Sequence, residues 1–178
     1  TNLLSNICDD IYRLTPVINN EVINKKEITI VTKNSRAKLL AGLLRTELEP
    51  NLGLRGAGQE ISIMRSTLVN TGVLENVESE NIRINMTPDD ELLAGVLKVI
   101  WAFVTNSRKE ESLSFAKLYE ELCGPEMHIG MRKGLIPIYL AAVLHEYKKE
   151  VVISDRFGQV PMNVDTLEQL NAEPDMFT

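Results

Sequence analysis

Apolar residues recur every three or four positions in the first half of the chain, which predicts helices. The first apolar stretch is Leu3, Leu4, Ile7, Ile11 and Leu14, and it ends at Thr15-Pro16 because the residue before a proline disfavours helical backbone. A short helix is predicted from Asn20 to Lys25. The clearest helix of this half is predicted from Lys33 to Leu48, with the apolar stripe Ala37, Leu40, Ala41, Leu44 and Leu48.

The first half then changes character. Glycines from Gly53 to Gly58 break the preceding pattern, and a further helix is predicted from Glu60 to Asn70, closed by Gly72. Weak alternation of apolar and polar residues from Val77 to Met86 predicts a strand or a hairpin.

The second half has a more regular pattern. Helices are predicted from Asp89 to Asn106, from Ser114 to Leu122 and from Met131 to Tyr147. Two strands follow, 150–154 and 159–162, joined by a hairpin turn over residues 155–158. A last helix is predicted to begin near Asp165 and to end before Pro174. The longest helices predict that six residues are buried: Leu40, Leu44, Ile100, Trp101, Leu140 and Leu144.

Three helices followed by a two-stranded hairpin is the order of the winged helix-turn-helix. The sequence therefore predicts a mainly α protein with short β-hairpins, built as two winged-helix-like units packed in tandem, 1–87 and 88–178. The boundary is placed where Thr87 can cap a helix and Pro88 fits its first position. The alternative is an irregular helical bundle with one hairpin.

Composition narrows the class of protein. The 178 residues carry 19 Lys and Arg against 25 Asp and Glu, so the net charge of −6 excludes a uniformly basic nucleic-acid coat. Cys8 and Cys123 lie far apart, which fits a reducing cytosol. No apolar run is long enough to cross a membrane, so we expect a cytoplasmic chain without membrane contact. Because the chain opens on Thr1, we expect a piece of a longer protein.

The residues give no sign of catalytic chemistry. His128 and His145 have no partner at metal-ligand or catalytic spacing, so a metal site is not expected. The glycine string Gly53, Gly56 and Gly58 lacks the Gly-Lys-Ser/Thr of a phosphate-binding P-loop. We therefore expect that this chain is not an enzyme and holds no cofactor. A self-contained enzyme would need a deep pocket that gathers polar groups distant in sequence.

Positive charge is concentrated in one region. Residues 24–55 hold seven basic residues against three acidic ones, and a second basic pair stands at the start of the third predicted helix of the second half. The candidate nucleic-acid-binding residues are Lys25, Lys26, Lys33, Arg36, Lys38, Arg132 and Lys133. The alternatives are a solvated basic face or one that docks on an acidic partner.

The helical repeat constrains how these residues could act. Lys33 and Arg36 share a helix face and are expected to be exposed together, whereas Lys38 lies about 160° around the axis from Arg36. We predict that replacing Lys33 and Arg36 together with glutamate abolishes duplex binding and leaves the melting temperature nearly unchanged.

Several strings resemble a known family as a set: TPVINNEVIN at 15–24, SRAKLL at 35–40, LGLRG at 52–56, EISIMRS at 60–66 and GMRKGLIP at 130–137. They resemble a segment of the very large P-loop ATPases of BREX-type phage-exclusion systems and of related prokaryotic ATP-binding proteins. The resemblance covers most of the chain and implies a cytoplasmic, defence-associated, multi-protein context. It places the segment outside the nucleotide-binding core, and this chain has no Walker lysine, so it does not imply ATPase activity here.

These observations lead to two functional hypotheses. The first is a non-catalytic winged-helix-type module of a larger prokaryotic phage-defence ATPase that engages duplex DNA, another region of the parent ATPase or another defence-system subunit. The second is a purely structural or protein-interaction scaffold domain without nucleic-acid binding, which the acidic second half favours. Salt-dependent binding to duplex DNA distinguishes the two.

Overall fold

The computed structural model describes residues 2–106, 112–147 and 149–178, and these residues form a mainly helical protein with two short antiparallel hairpins. This confirms the predicted class, mainly α with short β-hairpins. The helices are α1 Asn2–Ile11, α2 Ile30–Leu43, α3 Gln59–Met64, α4 Glu91–Asn106, α5 Phe115–Cys123, α6 Ile136–Tyr147 and α7 Val164–Ala172. The strands are β1 Leu74–Glu75, β2 Arg83–Ile84, β3 Ile153–Asp155 and β4 Gly158–Val160.

Short polar side chains define where the helices begin. The side chains of Thr29, Ser114 and Asn163 each accept a hydrogen bond from a backbone N–H in the first turn of α2, α5 and α7. The carboxylate of Asp90 does the same for α4, accepting from the N–H groups of Leu92 and Leu93. The predicted cap Thr87 is therefore wrong, because Asp90 is the residue that stands directly before the first turn of α4.

Four predicted helix ranges are wrong in detail. The helix predicted from Glu60 to Asn70 is α-helical only to Met64 and continues as a π-helix over Arg65–Val69. Residues 20–25 form a turn instead of a helix, because the side chain of Asn20 accepts hydrogen bonds from the backbone N–H groups of Val22 and Ile23. Helix α2 begins three residues earlier than Lys33 and ends five residues before Leu48. Helix α6 begins five residues after Met131, whose backbone N–H is instead bonded to the carbonyl of Leu122.

The two hairpins differ in how well the sequence predicted them. In the first, Leu74 pairs with Ile84, so the hairpin is present but begins before the predicted Val77. In the second, Asp155 pairs with Gly158 and its carboxylate accepts from the backbone N–H groups of Phe157 and Gly158, as expected for this turn. The C-terminal residues extend that hairpin, because Thr178 and Ser154 exchange both backbone hydrogen bonds.

Helix α6 lies at the centre of the molecule. Every residue from Ile136 to Leu144 is buried, and the helix packs on α2, α4 and α7. The core is one continuous cluster that includes residues from both sides of position 87. Side chains from α2 in the first half therefore share a core with α4 and α7 in the second.

The predicted core is confirmed in four of its six positions. Leu40, Ile100, Leu140 and Leu144 are fully buried, and Leu44 is partly buried against the core. Trp101 was expected inside and is 40% exposed. Trp101 follows the buried Ile100 and lies about 100° further around helix α4, so its ring is at the edge of the buried face. Its indole N–H donates to the hydroxyl of Tyr147 at 2.6 Å on the surface.

Helix α1 is present as predicted, but its apolar stripe is not covered. Leu3 and Leu4 are more than 70% exposed, and Ile7, Ile11 and Leu14 are exposed as well. The apolar face of this helix is left open to solvent within the described part of the chain.

Candidate nucleic-acid interface

Arg36 is buried, contrary to the expectation that it is exposed beside Lys33. Its side chain is 1% exposed, and its Nε and Nη2 donate to the two carboxylate oxygens of Glu168 at 2.9 and 2.5 Å. Its Nη1 donates to the backbone carbonyl of Gly134 at 2.9 Å. A guanidinium can be buried in a core when a carboxylate forms a bidentate ion pair with it. Arg36 is therefore a structural residue, and its replacement by glutamate would place two carboxylates together in the core.

The buried face of α2 differs from the predicted apolar stripe, and this difference explains why Arg36 is buried. Its inward face consists of Thr32, Ser35, Arg36, Leu39, Leu40 and Leu43. Ala41 of the predicted stripe is exposed. The polar residues 32, 35 and 36 turn inward at the N-terminal half of α2, where α7 supplies Glu168 as a partner.

A close contact at Gly134 brings two basic segments together. A Cβ atom at this position would lie 2.8 Å from the carbonyl oxygen of Ile23 and 3.3 Å from Cγ2 of Ile28, so only glycine fits. The loop before α6, which contains Arg132 and Lys133, thus lies directly against the turn that contains Lys25 and Lys26. The same glycine accepts the hydrogen bond of Arg36.

Five exposed cations lie on the three segments that meet at this contact: Lys25, Lys26, Lys33, Arg132 and Lys133. We call these five residues the basic cluster. Each lies within three residues, along the chain, of Ile23, Ile28, Arg36 or Gly134. The exposed acidic residues beside these cations are Glu21 and Glu27 of the turn, Glu126 of the loop before α6, and Glu173, which follows the Ala172 carbonyl that Lys133 contacts. Five positive charges thus stand with four negative ones, on a chain whose net charge is −6.

The members of the basic cluster differ in how they are held. Lys133 donates from Nζ to the carbonyl of Ala172 at 3.2 Å and lies 5.7 Å from the ring centroid of Tyr119. Burial raises the pKa of the Tyr119 hydroxyl well above its usual range, so this ring stays neutral beneath the ammonium. Lys25, Lys26, Lys33 and Arg132 form no ion pair with any described residue.

Lys38 belongs to a different surface. Its Nζ lies 2.8 Å from a carboxylate oxygen of Glu60, at the start of α3. The hydrogen bond from Lys38 lowers the pKa of the Glu60 carboxyl below its ordinary value. The seven predicted residues thus divide into the five of the basic cluster, one buried structural arginine and one lysine paired elsewhere.

The side chains of the basic cluster are all hydrogen-bond donors that carry a positive charge. Ammonium and guanidinium groups donate to phosphate oxygens, and such contacts position a protein on a nucleic-acid backbone without reading its sequence.

Among the described residues, no group of three or more His, Cys, Asp or Glu is arranged to hold a metal ion. The side chains of His128 and His145 each contact a backbone carbonyl oxygen, that of Ile11 and of Leu43 respectively.

A surface groove is a feature that the sequence did not predict. It has a volume of about 520 Å³ and lies along the outer face of α4. Its lining is mostly apolar, with Met86, Ala94, Gly95, Trp101 and Tyr147, and its charged members are Glu91 and Lys98. The sequence contains one indication of this groove: Trp101 follows the buried Ile100 on α4 and is not itself on the buried face.

Comparisons with protein-family models, with curated proteins and with solved structures each gave no match for this chain. No helix among the described residues is long and apolar enough to span a membrane. The resemblance to BREX-type ATPases therefore stays a prediction.

Proposed function

We propose that this chain is a non-catalytic module that contacts the phosphate backbone of duplex DNA through the basic cluster. The observation that carries the proposal is the close contact at Gly134, which gathers cations from three separate segments of an acidic chain. Separate lysines on a surface are common. Here the backbone segments that carry the cations are held together at the buried contact of Gly134 with Ile23 and Arg36.

The proposed fold is winged-helix-like in the second half, where α4, α5, α6 and the β3–β4 hairpin follow in the required order. In this arrangement α6 cannot enter a groove of DNA, because its residues fill the core. The contacts would come instead from the loop that precedes it, Arg132 and Lys133, together with the turn at Lys25 and Lys26. The context we propose is a larger prokaryotic phage-defence ATPase, on the basis of the sequence resemblance.

The test is the salt dependence of binding to a fluorescently labelled 20-base-pair duplex, measured by anisotropy. The wild-type affinity should fall as salt rises, with a log–log slope of about −0.9 for each phosphate contact. The variant Lys25→Glu/Arg132→Glu should bind more weakly and lose about two units of slope. Its melting temperature should stay nearly unchanged, because exposed charges contribute little to stability.

The matched control is Lys117→Glu/Lys149→Glu, which changes the net charge equally at exposed positions outside the basic cluster. This control should keep most of the affinity and the slope. Equal weakening in both variants would mean that only the net charge matters. Failure of the wild-type chain to bind duplex DNA at low salt would reject the proposal.

The second candidate function is a protein-interaction scaffold without nucleic-acid binding. A separate observation favours it: exposed apolar side chains are concentrated between residues 3 and 31, a pattern that marks interaction surfaces. They are Leu3, Leu4, Ile7, Ile11, Leu14, Val17, Ile30 and Val31. If the duplex does not bind, this is the function that the geometry supports.

A further inference from the structure

The helical segment that follows α3 has a wider turn than an α-helix. Over Arg65–Val69 it is a π-helix, and the backbone N–H of Asn70 donates to the carbonyl five residues earlier. The hydroxyl of Thr67 donates to the carbonyl of Ile63 at 2.7 Å, and that of Tyr139 on α6 donates to the carbonyl of Thr67 at 2.9 Å. The π-helix is therefore held from the core, and short π-helical turns of this kind often lie at functional sites.

Ser66 lies in this π-helix and contacts the turn at residues 20–25. Its hydroxyl donates to the carbonyls of Ser62 and Ile63, at 2.9 and 3.1 Å, so only its oxygen is left to accept a hydrogen bond from another group. The side-chain amide of Asn20 donates to this oxygen from Nδ2 at 2.8 Å. Because the amide nitrogen of Asn20 is bonded to Ser66, the amide oxygen of Asn20 faces away from Ser66.

The amide oxygen of Asn20 holds the turn together. It accepts from the backbone N–H groups of Val22 and Ile23 at 3.2 and 3.3 Å. Ile23 is fully buried, and its carbonyl oxygen faces the glycine of the loop before α6. Lys25 and Lys26 follow directly along the chain. The orientation of the Asn20 amide therefore determines where these two lysines lie relative to that loop.

We propose that Ser66 is a positioning residue of the basic cluster. It orients the side-chain amide of Asn20, and Asn20 holds the turn so that Lys25 and Lys26 keep a fixed position relative to the loop before α6. This inference rests on the proposed function, since it explains how the phosphate contacts of the turn and the loop keep their spacing. An uncharged residue 46 positions away in sequence from Asn20 thus contributes to the site.

Amide hydrogen exchange measures how firmly the turn is held, without DNA. In Ser66→Ala the amide of Asn20 loses its acceptor, so the N–H groups of Val22 and Ile23 should exchange about fivefold faster, as the loss of one hydrogen bond predicts. Ser66→Thr keeps the hydroxyl and should restore slow exchange. The matched control is Thr71→Val, which removes a hydroxyl that donates to a carbonyl of the π-helix at 2.7 Å, just beyond its end. Unchanged rates in Ser66→Ala, or an equal rise in the control, would overturn the proposal.

Binding to the labelled 20-base-pair duplex separates a positioning role from a purely structural one. Ser66→Ala should lower the affinity about fivefold and reduce the log–log salt slope by up to about two units, one for each of Lys25 and Lys26. Thr71→Val should keep the wild-type affinity and slope at a similar melting temperature, and so should Ser66→Thr.

The failure of this inference and that of the proposed function are distinguishable. Faster exchange in Ser66→Ala with wild-type affinity and slope would overturn the positioning role, because binding would then not need the turn to be held. A wild-type chain that does not bind the duplex would reject the proposed function, and the exchange rates of Val22 and Ile23 would still decide whether Ser66 holds the turn.

Discussion

At the scale of single residues, Arg36 shows how one distant partner decides the role of a charge. The side chains of Lys33 and Lys38, on the same helix, are exposed, but that of Arg36 is buried on Glu168. The partner lies 132 residues away in sequence, so local spacing on α2 could not reveal the pairing. The other basic residues were predictable as exposed, since ammonium and guanidinium groups without a partner stay in water.

The variant Glu168→Ala should lower the free energy of unfolding by about 3–5 kcal/mol, because it leaves the buried guanidinium of Arg36 without its carboxylate. Denaturant unfolding measures this change. The control is Glu173→Ala, which removes an exposed carboxylate directly after the last turn of α7. A loss of less than about 1 kcal/mol, as at a surface pair, would show that solvent reaches the guanidinium.

Acid should weaken the link between α2 and α3. The pKa of the Glu60 carboxyl is lowered in the folded chain by its hydrogen bond with Lys38. The ion pair therefore stabilises the fold fully at a pH above 4.5, the ordinary pKa of this carboxyl, and this contribution is lost as the pH falls through the lowered pKa of the folded chain. Lys38→Met removes the partner. The melting temperature of this variant should therefore fall less than that of the wild type between neutral pH and the acid range, and equal falls would contradict the assignment.

At the scale of elements, the sequence pattern predicted the existence of helices better than their ends or their surroundings. Helices α4, α5 and α7 were predicted within two residues of their observed starts, since Ser114, Asp90 and Asn163 stand beside strong apolar patterns. The turn at residues 20–25 was missed because the hydrogen bonds of the Asn20 side chain compete with the helix. The exposure of α1 was also missed, because periodicity shows an apolar face but not whether anything covers it.

Helix α6 should be the element most sensitive to truncation of a side chain. Leu140→Ala removes a fully buried side chain at its middle and should cost about 2–5 kcal/mol of unfolding free energy. The matched control is Leu4→Ala on α1, where the side chain is 72% exposed and the cost should be small. Similar losses in the two variants would mean that α1 is covered in solution.

At the scale of the whole molecule, the two halves share one core. The sequence predicted a division at residues 87 and 88, where Thr87 and Pro88 indicate a helix start, and that position does lie between β2 and α4. A pattern along the chain gives no measure of packing between distant helices. The contacts of α6 with α2 and α7 therefore could not be foreseen from the periodicity of any one helix.

Separated halves should not fold. A fragment of residues 1–87 lacks α6 and leaves Leu39, Leu40 and Leu43 exposed, and a fragment of 88–178 lacks the partner of Glu168. Circular dichroism should show little helix in either fragment alone and recovery of the native signal when they are mixed. Cooperative unfolding of either isolated fragment would show instead two independently stable units.

The central position of α6 also sets the order of events during synthesis. The chain leaves the ribosome from its N-terminus, and domains fold only when their core residues have emerged. Since residues 136–144 fill the middle of the core, the helices that pack on α6 from earlier in the chain, α2 and α4, remain without this partner until α6 has been made. Until then the nascent chain displays the apolar faces of these helices to chaperones.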